Sequence, residues 1–68
     1  MSVGENIKAR RIAQGMTQQN LADAVNLGRS MIAQIERGSK IPNLLLSAAL
    51  AEVLGCSLYD FLDQEESE

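Results

Sequence analysis

The sequence contains no histidine and no tryptophan, one cysteine, one proline and two aromatic side chains, Tyr59 and Phe61. Each shortage excludes something. Without histidine, with carboxylates at helix edges or near the end of the sequence, and without a glycine-rich phosphate loop, no acid–base pair, metal cluster or nucleotide cradle suggests itself. An enzyme is not expected, nor is a cofactor, a metal or a small-molecule ligand. The lone thiol, Cys56, rules out an internal disulfide framework and suits a reducing compartment. Flanked by Gly55 and Ser57, it reads as a small buried hydrophobe. No apolar run approaches the ~20 residues of a membrane span. The opening MSVGENIK lacks the basic start and apolar stretch of a secretory leader, so a cytoplasmic location away from membranes is expected. With so few aromatics, the core must be aliphatic.

What is present fits one small domain. A chain of 68 residues with 46% hydrophobic content is globular in composition, and a domain of this size buries about 60% of its unfolded surface. The net charge of −3 hides an uneven distribution. Residues 1–59 carry six cations (Lys8, Arg10, Arg11, Arg29, Arg37, Lys40) against four acids (Glu5, Asp23, Glu36, Glu52). The last nine residues hold five acids and no cation. The body is mildly basic, and local charge governs binding. The expected division is a folded domain over 1–62 and an acidic, disordered, solubilising tail, DQEESE, over 63–68.

Strand-like alternation is absent, and helical periodicity appears five times, which predicts an all-α fold. The first helix spans about Val3 to Gln14, with Val3, Ile7, Arg11 and Ile12 at i, i+4 spacings, and Gly15 ends it. Thr17 caps TQQNLADAV, whose inward face is Leu21, Ala22 and Val25. Asn26 supplies a residue that tolerates positive φ, and Leu27 plugs the turn. The third helix lies in GRSMIAQIERG and stops at Gly38. After the SKIP loop, Pro42 and Asn43 mark the fourth helix, with Asn43 as N-cap. LLLSAALAEVL is apolar nearly all round. If Leu44, Ala48, Ala51 and Leu54 face inward, then Leu45, Ala49 and Val53 form a second stripe. That stripe either packs under the last helix or the N-terminus, or joins Cys56, Tyr59 and Leu62 in a homodimer surface. Gly55 closes this helix and Ser57 caps LYDFL.

The third helix carries the most information. At about 100° per residue, Arg29, Ser30, Ala33, Gln34 and Arg37 fall within roughly 140° of one another. Ile32 and Ile35 point the other way. A merely solvated helix face would usually mix both signs of charge; this one holds two cations, an amide, a hydroxyl and a methyl. Two short helices joined by a tight turn, the second with such a face, describe a helix-turn-helix. Ala22 is small enough for the crossing point, and Leu21, Leu27, Ile32 and Ile35 pin the pair.

TQQNLADAVNLGRSMIAQIERGSKIP resembles the helix-turn-helix of phage repressors, Cro proteins and the wider xenobiotic-response-element regulator family. The matching features are Thr17-Gln18, Leu21-Ala22, Ile32, Ile35-Glu36-Arg37-Gly38 and Pro42, continuing through Leu50-Ala51, Leu54-Gly55 and Leu58 to Leu62. The resemblance covers about residues 3–62. It implies a five-helix, lambda-repressor-like DNA-binding domain whose third helix, about 29–37, enters the major groove. By position it assigns base reading to Arg29, Ser30, Ala33 and Gln34. The chemistry suits them: Arg pairs bidentately with guanine, Gln with adenine, Ser with either, and a methyl meets the thymine methyl. Gln18 is implied to contact phosphate and brace the reading helix. Arg37, Ser39, Lys40 and Asn43 resemble a second phosphate clamp, with Arg10 and Lys8 adding charge. Such contacts position the protein without choosing sequence. Arg11 and Glu36 are implied to form a structural ion pair between helices one and three.

Two positions depart from the family pattern. Gly28 stands where Ser or Thr usually caps the reading helix. Ser47 replaces a large apolar residue, while Leu45 and Leu46 occupy usually polar positions. The expectation is a homodimeric transcriptional regulator on a pseudo-palindromic double-stranded operator, of the Cro-like, prophage-repressor or restriction–modification-controller kind. The alternative is an adaptor or antitoxin-like interaction module on the same fold; acids on the outer face of helix three would have favoured it.

Overall fold

A hydrogen-bond signal that hydrophobic periodicity does not carry starts helix α1 (Val3–Ala13). Ser2 Oγ accepts from the Glu5 N–H at 3.2 Å, and Glu5 Oε1 accepts from the Ser2 N–H at 3.0 Å. This reciprocal capping box satisfies two donors otherwise left open. The hydrogen bond from the Ser2 backbone is the main reason the Glu5 carboxyl lies below its ordinary pKa. The computed structural model describes residues 2–62, all helix and connection. The acidic stretch 63–68 and the side chain of Leu62 lie outside the described residues.

Helix α2 (Gln18–Ala24) opens with a second capping box: Thr17 Oγ1 accepts from Asn20 N–H at 2.9 Å and Asn20 Oδ1 accepts from Thr17 N–H at 3.0 Å. Asn26 adopts φ 62° in the turn that follows. There the Leu27 N–H reaches back to the Ala22 carbonyl at 2.8 Å, and Leu27 packs on the core. Helix α3 (Arg29–Arg37) has Gly28 as N-cap, with no side-chain cap bond, and ends at Gly38 with φ 89°. Asn43 Oδ1 accepts from the Leu46 N–H at 2.8 Å and starts α4 (Leu44–Leu54). In α5 (Leu58–Leu62) the Asp60 carboxylate accepts from the Ser57 N–H at 2.8 Å.

The core is aliphatic apart from one ring. Ile7 of α1, Leu21 and Ala22 of α2, Ile32 and Ile35 of α3, Leu50, Ala51 and Leu54 of α4, and Phe61 of α5 are all buried. Ala22 at full burial lets α2 and α3 cross closely, and these two helices share the most extensive contact in the fold. Gly4 performs the same service for α1 and α3. A Cβ there would sit 2.9 Å from the Glu36 carbonyl oxygen and closer still to that of Ile35.

The rotation of α4 differs from expectation. Leu44 is 72% exposed and Ala48 is exposed. The inward seam is Leu50, Ala51 and Leu54, with Leu46 and Ser47 half-buried. Ser47 lies one turn before Ala51 on this seam and donates its hydroxyl to the Pro42 carbonyl at 3.4 Å. The polar residue thus occupies an inward position because its own helix start satisfies it. Ile12 also departs: it is 58% exposed, and the inward place beside it belongs to Arg11, which is buried.

Candidate nucleic-acid interface

One buried ion pair organises the surface around α3. Arg11 Nε donates to Glu36 Oε2 at 2.7 Å and Arg11 Nη2 to Glu36 Oε1 at 3.1 Å. A third donor, Arg11 Nη1, reaches the Met16 carbonyl at 2.7 Å. The planar guanidinium therefore ties the end of α1, the loop before α2 and the last turn of α3 together. Glu36 is the one acid of α3, and it is turned inward and neutralised. The outward face keeps only neutral and positive groups.

That face holds the expected readers together. Arg29 and Ser30 are exposed, and Ala33 and Gln34 are half-exposed beside them. Gln34 Nε2 donates to Ser30 Oγ at 3.3 Å, one turn earlier. Arg29 Nη1 donates to Gln18 Oε1 at 3.4 Å, and Gln18 Nε2 to Glu36 Oε1 at 3.1 Å. Lys8, Gln18, Arg29, Ala33, Glu36 and Arg37 line a depression of about 370 Å³. Three cations thus surround a carboxylate that Arg11 already pairs. Their field is available to an anion from outside.

The far end of α3 carries the other group. Beyond the left-handed Gly38, the N–H groups of Ser39 and Lys40 bond back to the Gln34 carbonyl at 2.9 and 3.3 Å. This wraps Ser39 and Lys40 against the helix end. Arg37 Nε donates to Ser39 Oγ at 3.5 Å. Arg37, Ser39, Lys40 and Asn43 are all exposed, and the Asn43 side-chain oxygen, Oδ1, is occupied in capping α4.

Arg10 is not brought into this group. Its Nε donates to Asn6 Oδ1 at 2.6 Å, and Asn6 Nδ2 donates to the Asp60 carbonyl at 3.0 Å. Arg10 therefore lies on the α1–α5 side, where its charge also acts on Cys56. Burial pushes the Cys56 thiol pKa up, and Arg10 partly opposes this. Besides the buried Arg11, it is Lys8 and not Arg10 that α1 brings beside the reading helix. Asn6 is buried at 3% exposure, and the acceptor that its amide N–H finds in the core lies 54 residues away.

Of the residues expected at a dimer surface, Leu45 and Tyr59 are 81% and 78% exposed. Ala49, Val53 and Cys56 are half-buried, the last two against the core. Ile41 and Leu44, not anticipated, extend the exposed apolar surface around Leu45. None of the described helices is long and apolar enough to cross a membrane.

Comparison with known proteins gives a consistent result. A helix-turn-helix family model, HTH_3, matches residues 7–61. The immunity repressor protein of Bacillus phage phi105 is 40% identical over 65 residues, covering 96% of this chain and 45% of that protein. The chain thus spans less than half the length of that relative. The DNA-binding domain of the P22 c2 repressor superposes with a TM-score of 0.90 at 33% identity, covering 98% of this chain and 88% of that one. The P22 c2 repressor in complex with a synthetic operator gives 0.85 at 33% identity, over 90% and 92% of the two chains. The chain belongs to the helix-turn-helix family HTH_3.

Proposed function

We propose that this chain binds double-stranded DNA in a sequence-specific manner as a transcriptional regulator, with α3 in the major groove. The observation that carries the reading is the sorting of α3. Ile32 and Ile35 are buried, Glu36 is turned inward onto Arg11, and the outward arc is left with Arg29, Ser30, Ala33, Gln34 and Arg37. Arg29 and Gln34 have the donor–acceptor patterns that match guanine and adenine. Ser30 and Ala33 lie between them. Gln18 and Lys8 on one side, and Arg37, Ser39, Lys40 and Asn43 on the other, serve as phosphate contacts that fix register. The similarity to a repressor solved with its operator supports the same docking.

The chain acts as a homodimer in this reading, on half-sites about one helical turn, ~34 Å, apart. The exposed Leu45 and Tyr59 belong to its interface, together with Ala49, Val53, Cys56 and Leu62. Selection of bound duplexes from a random pool, followed by salt-titrated binding to the winning sequence, tests the proposal. A two-fold symmetric site whose affinity falls steeply with salt is the expected outcome. Folded protein that selects no site at low salt would overturn it.

A further inference from the structure

Ile41 is 83% exposed, the highest value among the large hydrophobic side chains of the described residues. Shelter lies beside it. Val3, Gly4, Ile35 and Pro42, with Ile41 itself, line an apolar cleft of about 220 Å³ between the start of α1 and the end of α3. Most of the isoleucine nevertheless faces water. The loop holds it there from both sides. Before it, the Ser39 and Lys40 N–H groups bond to the Gln34 carbonyl at 2.9 and 3.3 Å. After it, the Pro42 carbonyl accepts from the Ser47 hydroxyl at 3.4 Å. Pro42 has a fixed φ and biases the residue before it towards extended backbone.

The surroundings decide what can cover it. Ser39 and Lys40 stand exposed just before Ile41, and Asn43 stands exposed two residues after it. From Arg37 to Ala51 the sequence has two cations and no acid. A two-fold contact between copies lays a patch on itself. Lys40 would then approach its own counterpart, with no carboxylate from that stretch to intervene. A duplex strand offers the complement: anionic phosphates alternating with deoxyribose rings, whose C–H faces are apolar. Ile41 lies between Lys40 and Asn43, so it is continuous with the phosphate-contacting face.

We infer that Ile41 packs against deoxyribose of the strand whose phosphates Ser39, Lys40 and Asn43 hold, and adds affinity there without choosing sequence. The inference rests on the DNA-binding reading. Covering an exposed isoleucine removes apolar surface from water, and the loop is already ordered, so little freedom is lost on binding. Such a contact has its own signature. It neutralises no phosphate and displaces no counterion, so it strengthens binding without steepening the salt dependence. It touches no base edge, so it strengthens every sequence alike.

The test compares wild type with Ile41→Thr, which keeps the β-branch and loses apolar surface. Affinity for the selected operator should fall on the order of fivefold, and by the same factor for each single-base-pair variant. The slope of log affinity against log salt should hold, whereas Lys40→Met should reduce it by about 0.9. The urea midpoint and the dimer dissociation constant should not move in Ile41→Thr. Unchanged affinity, a loss confined to one base pair, or a weakened dimer overturns the proposal; the last would make a second copy the occupant. A second measurement needs no substitution. Protein carrying ¹³C-labelled isoleucine methyl groups, bound to unlabelled operator, should show nuclear Overhauser contacts from Ile41 to deoxyribose protons. Their absence, or contacts to bases alone, also overturns it. Wild type that binds no duplex removes the DNA-binding reading and this proposal together. Operator binding indifferent to Ile41 removes this proposal alone.

Discussion

Helices α3 and α4 each bury one seam, but they finish the opposite face differently. On α3 the outward groups are two cations, an amide, a hydroxyl and a methyl, and the single acid is drawn inward to Arg11. On α4 the outward groups near its start are Leu44 and Leu45, with Ile41 just before them. The first face is at ease in water and has the chemistry to exchange water for base edges and phosphates. The second is costly in water, at about 25 cal/mol for each Å² of apolar surface left uncovered. Polar sorting by sign therefore marks a surface built to meet a charged partner. Exposed aliphatic groups mark one whose stability improves when something apolar covers it.

The comparison can be broken most severely at the ion pair, the main hold that keeps Glu36 off the outer face. Removing one partner, as in Glu36→Gln or Arg11→Ala, strands the other charge. It should cost about 3–5 kcal/mol in urea unfolding. A melt indistinguishable from wild type would mean that the pair does not hold α1 to α3. The next largest effect separates the two sides of α4. Leu50→Ala should cost about 2–5 kcal/mol, whereas Leu45→Ala in the monomer should stay within about 0.5 kcal/mol. Equal losses would mean that α4 is rotated away from the seam described here.

Effects on binding come after effects on folding. Arg29→Ala and Gln34→Ala should each remove about 1–3 kcal/mol of discrimination at one base pair, with unfolding midpoints unchanged, as competition assays and urea melts can show. The smallest effect belongs to Glu5. Its folded-state pKa is lowered, chiefly by the Ser2 backbone N–H. The capping-box contribution is therefore present above the ordinary carboxylate range and is lost as pH falls through the lowered folded value. Glu5→Gln should flatten the acid limb of the stability curve slightly and leave neutral pH behaviour nearly intact. A steeper acid limb would contradict the assigned direction.

The fold was legible where local chemistry and periodicity agree. Thr17, Asn26, Gly38 and Asn43 announce cap, turn, stop and cap, and each has the geometry its residue type demands. Helix α3 was legible in rotation because Ile32 and Ile35 face a polar arc. Helix α4 was not, because nearly every position is apolar and one of its two polar residues, Ser47, sits on the inward side with its hydroxyl satisfied locally. Ile12 misled for a related reason: Arg11 fills the buried place, and its guanidinium is visible as a core group only once Glu36 is beside it. The Ser2–Glu5 box was written in the sequence as a serine followed three residues later by glutamate. Asn6 and Gly4 were not legible, since Asp60, Ile35 and Glu36 come to them only through tertiary packing.

The most direct measurement of the central claim is a titration of ¹⁵N-labelled protein with its selected operator, followed amide by amide. The account predicts large perturbations at 17–20, 28–34 and 37–43, the start of α2, the reading face of α3 and the clamp after Gly38. Amides around Ile7 and Phe61 should stay quiet. Perturbations centred on 44–49 with α3 unmoved would contradict the account and identify the apolar face of α4 as the binding surface instead.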